Sequence, residues 1–322
     1  MELLSPKTIE DKILNNYSDY QYLFINFQSK FLSGLYSRYQ SLESGKLVLH
    51  FGKETHQDIL RKKDYDLNFN ISYEKFWDNH NEIEPRRRSI IKIAEKTFLP
   101  KETARRKVSQ LIKQKVLNKK NRNIGWLPNE QYKQNYNLFI KEEINDVCDL
   151  INFICKKINL NFSREILMKE LKKKFSFYWF HFLKTQLEYL KLWNKQFSDL
   201  ELLFIGMQVA SLFATRAKEK NLPLAGIYND SSLNKDFVNL GVSVTSIVEV
   251  TGMPRATCFR KLEILVRMKV ILQDKISKKY YLIPNATSKN LFSQNSMESV
   301  VKLFSNFYFI CLRAIDARIL NQ

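Results

Sequence analysis

Two groups of basic side chains stand at spacings that could do chemistry on a polyanion. Lys101, Arg105 and Arg106 fall within one short stretch, and Arg255 and Arg260 within another that begins 154 residues later. Guanidinium and ammonium groups at such spacing can grip phosphate oxygens or bond the O6 and N7 edge of guanine. Each stretch is followed by a second basic group, Lys119, Lys120 and Arg122 in one case, Lys275, Lys278 and Lys279 in the other. A further run, Arg86, Arg87 and Arg88, precedes the first stretch. A helix N-terminus disfavours cations, so phosphate contact would account for this run as well as a solvated cluster would.

The two stretches are copies of one phrase. KTFLPKETARRKVSQLIKQKV from Lys96 aligns without a gap on VTGMPRATCFRKLEILVRMKV from Val250. Thr97, Pro100, Thr103, Arg106, Lys107, Leu111, Lys115 and Val116 meet Thr251, Pro254, Thr257, Arg260, Lys261, Leu265, Lys269 and Val270. Upstream, Ser89, Ile93 and Glu95 match Ser243, Ile247 and Glu249 at the same offset. This pattern reads as internal duplication.

Apolar spacing predicts the elements that position these groups. Ala104, Val108, Leu111 and Ile112, answered by Cys258, Leu262, Leu265 and Val266, follow the i, i+4, i+7, i+8 rhythm of one helical face. Lys101, Glu102, Thr103, Arg105 and Arg106 then fall on or near the outer face, as do Arg255, Thr257, Phe259 and Arg260. A short helix is predicted before each, over 90–96 and 245–250, joined by TFLP or TGMP, where Gly252 suits a positive φ. Apolar, then basic, then aromatic residues follow, which predicts hairpins with strands near 116–118, 124–127, 270–273 and 279–283. Each hairpin precedes a helix expected to end at FIC, residues 153–155 and 309–311. LFINF from Leu23 matches LFIGM from Leu203 more weakly.

Helix, tight turn, basic helix and basic hairpin together resemble the winged helix-turn-helix transcription regulators, and among them the MarR-like type, over Ser89 to Pro128 and Ser243 to Pro284. The resemblance implies a mainly α fold with small β-hairpin wings, flanked by helices, and duplex DNA as the ligand. In that family flanking helices build a homodimer, whereas this chain carries both units itself. The expected domains are 1–155, with helix-turn-helix 89–116 and wing 117–128, and 156–322, with helix-turn-helix 243–270 and wing 271–284.

Composition agrees with a polyanionic partner. Lys plus Arg number 52 against 33 for Asp plus Glu, a net charge of +19. An AT-rich coding sequence would also raise Lys, Asn, Ile and Phe. Four cysteines without CxxC spacing, and a start lacking a basic and apolar leader, point to a reducing cytoplasmic location. Runs such as FSFYWFHFL at 175–183 fall short of a bilayer span, so no membrane is expected. Their aromatics read as core or packing between the halves, with a pocket or partner surface on Phe177, Trp179 and Phe180 as the sharper alternative.

Enzymatic chemistry finds no foothold. With eight glycines there is neither GxGxxG nor GxxxxGK, and no nucleophile elbow. His50, His56, His80 and His181 form no ligand motif, so no metal or cofactor is expected. The expectation is a sequence-specific DNA-binding transcription regulator, one chain acting as a pseudo-dimer on two half-sites. Beside it stand a plasmid-type replication initiator with tandem winged helices and a winged-helix interaction module. A second copy of the chain and a small-molecule effector are further candidate partners.

Overall fold

The computed structural model describes residues 4–84, 86, 88–197, 199–221, 240–282 and 294–319. Helices dominate the described residues, in the order α1 (Pro6–Asn15), α2 (Tyr17–Tyr39), α3 (Leu42–Tyr65), α4 (Phe76–Glu82), α5 (Ile90–Thr97), α6 (Lys101–Lys113), then strands β1 (Leu117–Lys120) and β2 (Asn123–Trp126). Next come α7 (Glu130–Lys157), α8 (Arg164–Lys173), α9 (Phe175–Gln196), α10 (Leu200–Glu219), α11 (Val244–Thr251), α12 (Arg255–Arg267), β3 (Ile271–Gln273), β4 (Tyr280–Leu282) and α13 (Gln294–Ile319). Both sheets are two-stranded antiparallel hairpins, so the mainly α expectation with small hairpins holds. Four hairpin strands and the two helix pairs fall within a few residues of their predicted bounds. Residues 283 and 284, at the end of the expected second wing, lie outside the described residues.

The chain forms two compact units that are not contiguous in sequence. Unit 1 takes residues 1–9, 39–191 and 303–322; unit 2 takes 10–38 and 192–302.

In unit 1, α3 is the supporting helix: α4, α5, α6 and β2 all pack on it. Ser41 starts it, its hydroxyl accepting from the Ser44 amide. Gly52 permits the close approach, since a Cβ there would lie 3.3 Å from Leu183 Cδ1 of α9 and 3.7 Å from the Trp126 ring of β2. An aromatic core surrounds this point. Phe76 packs on His56, Trp126, Tyr136 and Phe175, with centroid separations of 4.6 to 6.3 Å. Trp179, in the aromatic run, is buried, and Phe182 and Tyr189 meet Phe307 and Phe304 of α13. The core reading of that run therefore holds for Trp179, while Phe177 and Phe180 are half-buried against His181.

Unit 2 is built on α10, which Asp199 caps by accepting from the Glu201 amide at 2.9 Å. α11, α12 and β4 pack on it. Its other side meets α2 through a polar clasp: Ser29 Oγ donates to Gln208 Oε1 at 2.9 Å, and Gln208 Nε2 donates to Ser29 O and Ser33 Oγ, each at 3.1 Å. α10 is also long and apolar enough to cross a bilayer by length and composition, although 72% of its apolar window is buried inside the fold.

Two details differ from the sequence reading. α13 runs on to Ile319 past Cys311, because Leu312 and Ile315 continue its buried face. The Leu23 stretch lies in α2, whereas the helix supporting the first hairpin module is α3; apolar spacing alone does not tell two successive amphipathic helices apart.

Candidate nucleic-acid interface

The first module begins at Ser89, whose hydroxyl accepts from the Lys92 amide and so caps α5. At its other end Thr97 turns inward and donates its hydroxyl to the Ile93 carbonyl at 2.7 Å. Phe98 then takes φ +52° and reverses the chain, and Pro100, at φ −54°, sets the start of α6. Ala104, Val108 and Leu111 face inward and are fully buried. Lys115, at φ +58°, closes the helix and turns the chain into β1.

The second module has the same order of local devices. Ser243 caps α11, and Thr251 donates to the Ile247 carbonyl at 2.6 Å. Gly252 sits at φ +67°, Pro254 precedes α12, and Lys269 takes φ +56°. Cys258, Leu262 and Leu265 are buried. In each module one residue before the first helix bridges the second hairpin strand, Arg88 to Ile124 and Val242 to Tyr280.

Outward residues stand as follows. Lys101, Glu102, Arg105 and Arg106 are exposed on α6, and Thr103 is half-buried. Arg105 is not free: its Nε donates to both Glu102 oxygens at 3.0 Å, and this hydrogen bond first, with Arg106 and Lys101 nearby, holds the Glu102 carboxyl below its ordinary range. On α12, Arg255, Phe259 and Arg260 are exposed and Thr257 is half-buried. Arg255 Nη1 donates to Thr245 Oγ1 of α11 at 3.0 Å, which orients the guanidinium across the helix pair. Lys119, Lys120 and Arg122 are exposed around the first hairpin tip, where Asn121 takes φ +56°. At the second tip Lys275 and Lys278 are exposed, Lys279 is half-buried, and Ile276 projects with 92% exposure. The Asp274 carboxylate accepts from the Ser277 amide at 2.5 Å and shapes that tip.

Of the arginine run, read as phosphate contacts or a solvated cluster, Arg86 and Arg88 have carboxylate partners. Arg86 Nε lies 2.8 Å from Asp58 and Arg88 Nη2 lies 3.1 Å from Glu54, both carboxylates on α3. These two cations are engaged within unit 1, and Arg87 lies outside the described residues.

Sequence reasoning had no role for the repeated lysine, Lys107 and Lys261, and the structure supplies one. Both turn toward the start of a supporting helix. Lys107 Nζ lies 4.0 Å from Glu43 at the start of α3, while the buried Lys261 pairs with Asp199 and, at 3.2 Å, with Glu201 at the start of α10. The repeat thus carries a bracket that fixes the second helix of each module to its support.

Metal chemistry finds no site: among the described residues no three of His, Cys, Asp and Glu are placed to hold an ion. His56 is buried in the aromatic core and its imidazole is pushed down to about 3 by burial, which keeps it neutral. The described cysteines, Cys148, Cys155, Cys258 and Cys311, are buried free thiols.

Against known protein families, curated proteins and solved structures, the chain matches none. Its function is therefore argued from its own geometry.

Proposed function

We propose that this chain is a sequence-specific duplex DNA-binding protein, a transcription regulator that carries two winged helix-turn-helix reading heads derived from one duplicated unit. The observation that carries the reading is the division of labour within each repeated phrase. Repeated apolar residues and Thr97, Thr251, Lys107 and Lys261 face inward, where packing accounts for them. Arg106 and Arg260 recur at matching places yet are exposed and form no ion pair among the described residues, so the described packing does not account for them. Lys101 and Arg255 occupy the first turn of the second helix, the end by which such a helix enters the major groove. Basic hairpin tips then supply backbone contacts.

Duplication is supported by the shared devices of capping serine, inward threonine, left-handed turn residue, proline and left-handed lysine. The heads differ where they would read, with Glu102 against Ala256 and Arg105 against Phe259. Selection of bound duplexes from a random library tests the proposal. Two related but unequal half-sites are expected; enrichment of no sequence, or of single-stranded contaminants only, would reject it.

A further inference from the structure

Unit 1 contains a pocket between α3, the end of α5 and α9 whose chemistry the DNA reading does not use. It is lined by Lys46, His50, Lys53, Lys96, Phe98, Lys184, Leu187 and Glu188. Four ammonium groups face one carboxylate there, and Glu188 is already held by Lys191 at 3.2 Å. The central observation is Lys46. It is 1% exposed, and its Nζ is buried with no hydrogen-bond partner. A fully desolvated ammonium without a partner costs several kcal/mol by general electrostatics, so a fold does not retain one without compensation.

We propose that this pocket binds a compact, multiply charged anion of the phosphate class, with Lys46 as the buried anchor and Lys53, Lys96 and Lys184 around it.

Carboxylates near the pocket do not fill this role. Glu43 accepts from Ser41 at 2.7 Å and faces Lys107, while Glu54 is taken by Arg88. The neighbouring lysines confirm that the cations crowd one another. Burial chiefly lowers Lys53, and Lys96 and Lys184 add repulsion. Lys46 is lowered to about 8, by burial first, with Glu43 and Glu188 opposing and Lys191 reinforcing. His50, at about 4, is neutral and offers an imidazole nitrogen rather than a charge. An anion would relieve the repulsion and strengthen proton binding by Lys46, so anion binding takes up protons chiefly at and above about pH 8. The pocket also touches Phe98, the left-handed residue that leads into α6, and Lys191 stacks over that ring at 4.4 Å. Occupancy would therefore stiffen the turn before the second helix of the first module.

The inference stands apart from DNA binding, because its readout is anion affinity. The test uses the full chain with inorganic phosphate, pyrophosphate and sulfate, each against sodium chloride at equal ionic strength, followed by calorimetric titration and thermal midpoint. Wild type should bind pyrophosphate saturably and gain on the order of 5 °C at saturation. Lys46→Met keeps the volume and removes the charge. It should melt at or above the wild-type midpoint without ligand, and lose at least tenfold in pyrophosphate affinity. Lys96→Gln with Lys184→Gln, on the pocket rim, should lose affinity likewise, which covers the case of a poorly folding Lys46 variant. Sulfate, whose charge does not change, should bind about tenfold more weakly per pH unit above about 8. A wild-type response no larger than that to chloride overturns the proposal, as does undiminished affinity in the rim variant.

Discussion

Among the cations of the two repeated phrases, burial separates the bracing residues from those proposed to read DNA, and each kind predicts a different measurement. Lys261 is buried against two carboxylates, whereas Lys107 is more exposed and 4.0 Å from its partner. Lys261→Ala should therefore lower the unfolding free energy by about 1.5–3 kcal/mol, and Lys107→Ala by less than about 1 kcal/mol, in urea denaturation. Neither change should alter the preferred DNA sequence. Arg255→Ala, by contrast, should relax preference at one base position by roughly 1–3 kcal/mol, while Arg260→Ala weakens all sequences nearly equally. Binding profiles on singly substituted sites decide this pair; an intact preference in Arg255→Ala would mean that the first turn of α12 does not read bases. The Arg255 bond to Thr245 adds a control, since Thr245→Ala should disturb the same position more weakly.

At the scale of elements, the hairpin tips and the arginine run part company. Lys119, Lys120 and Arg122 carry no ion pair among the described residues and surround an exposed tip, so replacing all three with Ala should reduce the log-log salt slope of DNA binding by about 2–3, at about 0.9 per phosphate lost. Arg86→Ala with Arg88→Ala should instead destabilise unit 1, where Asp58 and Glu54 hold them, and change the slope less. An unchanged slope in the tip variant would remove the tip from the interface. Much of this level was legible in the sequence, because helical rhythm, caps and turn residues are local: α5, α6, α11, α12 and both hairpins begin and end near their predicted bounds. The lysine pocket was not legible. Lys46 and Lys53 share α3, but Lys96 and Lys184 reach them from α5 and α9, and no local pattern announces that convergence. The carboxylate partners of Arg86 and Arg88 were not legible for the same reason, since they lie on a helix some thirty residues earlier.

For the whole molecule, buried imidazoles contribute to the response to acid. His56 and His50 are held neutral, at about 3 and about 4, whereas both would titrate near 6.5 in the unfolded chain. Below about 6.5 the unfolded state binds protons that the fold refuses. Their stabilisation is complete above that pH and is lost as pH falls toward 4. Each should cost about 1.4 kcal/mol per pH unit within that window, read by denaturation at stepped pH. His56→Phe, which fits the stack on Phe76, should flatten the curve by one histidine's share; an unaltered curve would show that His56 does not report on folding.

The clasp between Ser29, Ser33 and Gln208 bears on how the protein is made. α10 begins 161 residues after α2 ends. At about 5–20 residues per second, a ribosome exposes the buried face of α2 for roughly 8–32 s before its partner emerges. Unit 1 likewise waits for residues 303–319. Both closures wait on synthesis, so these apolar faces stay uncovered by their partners for that interval.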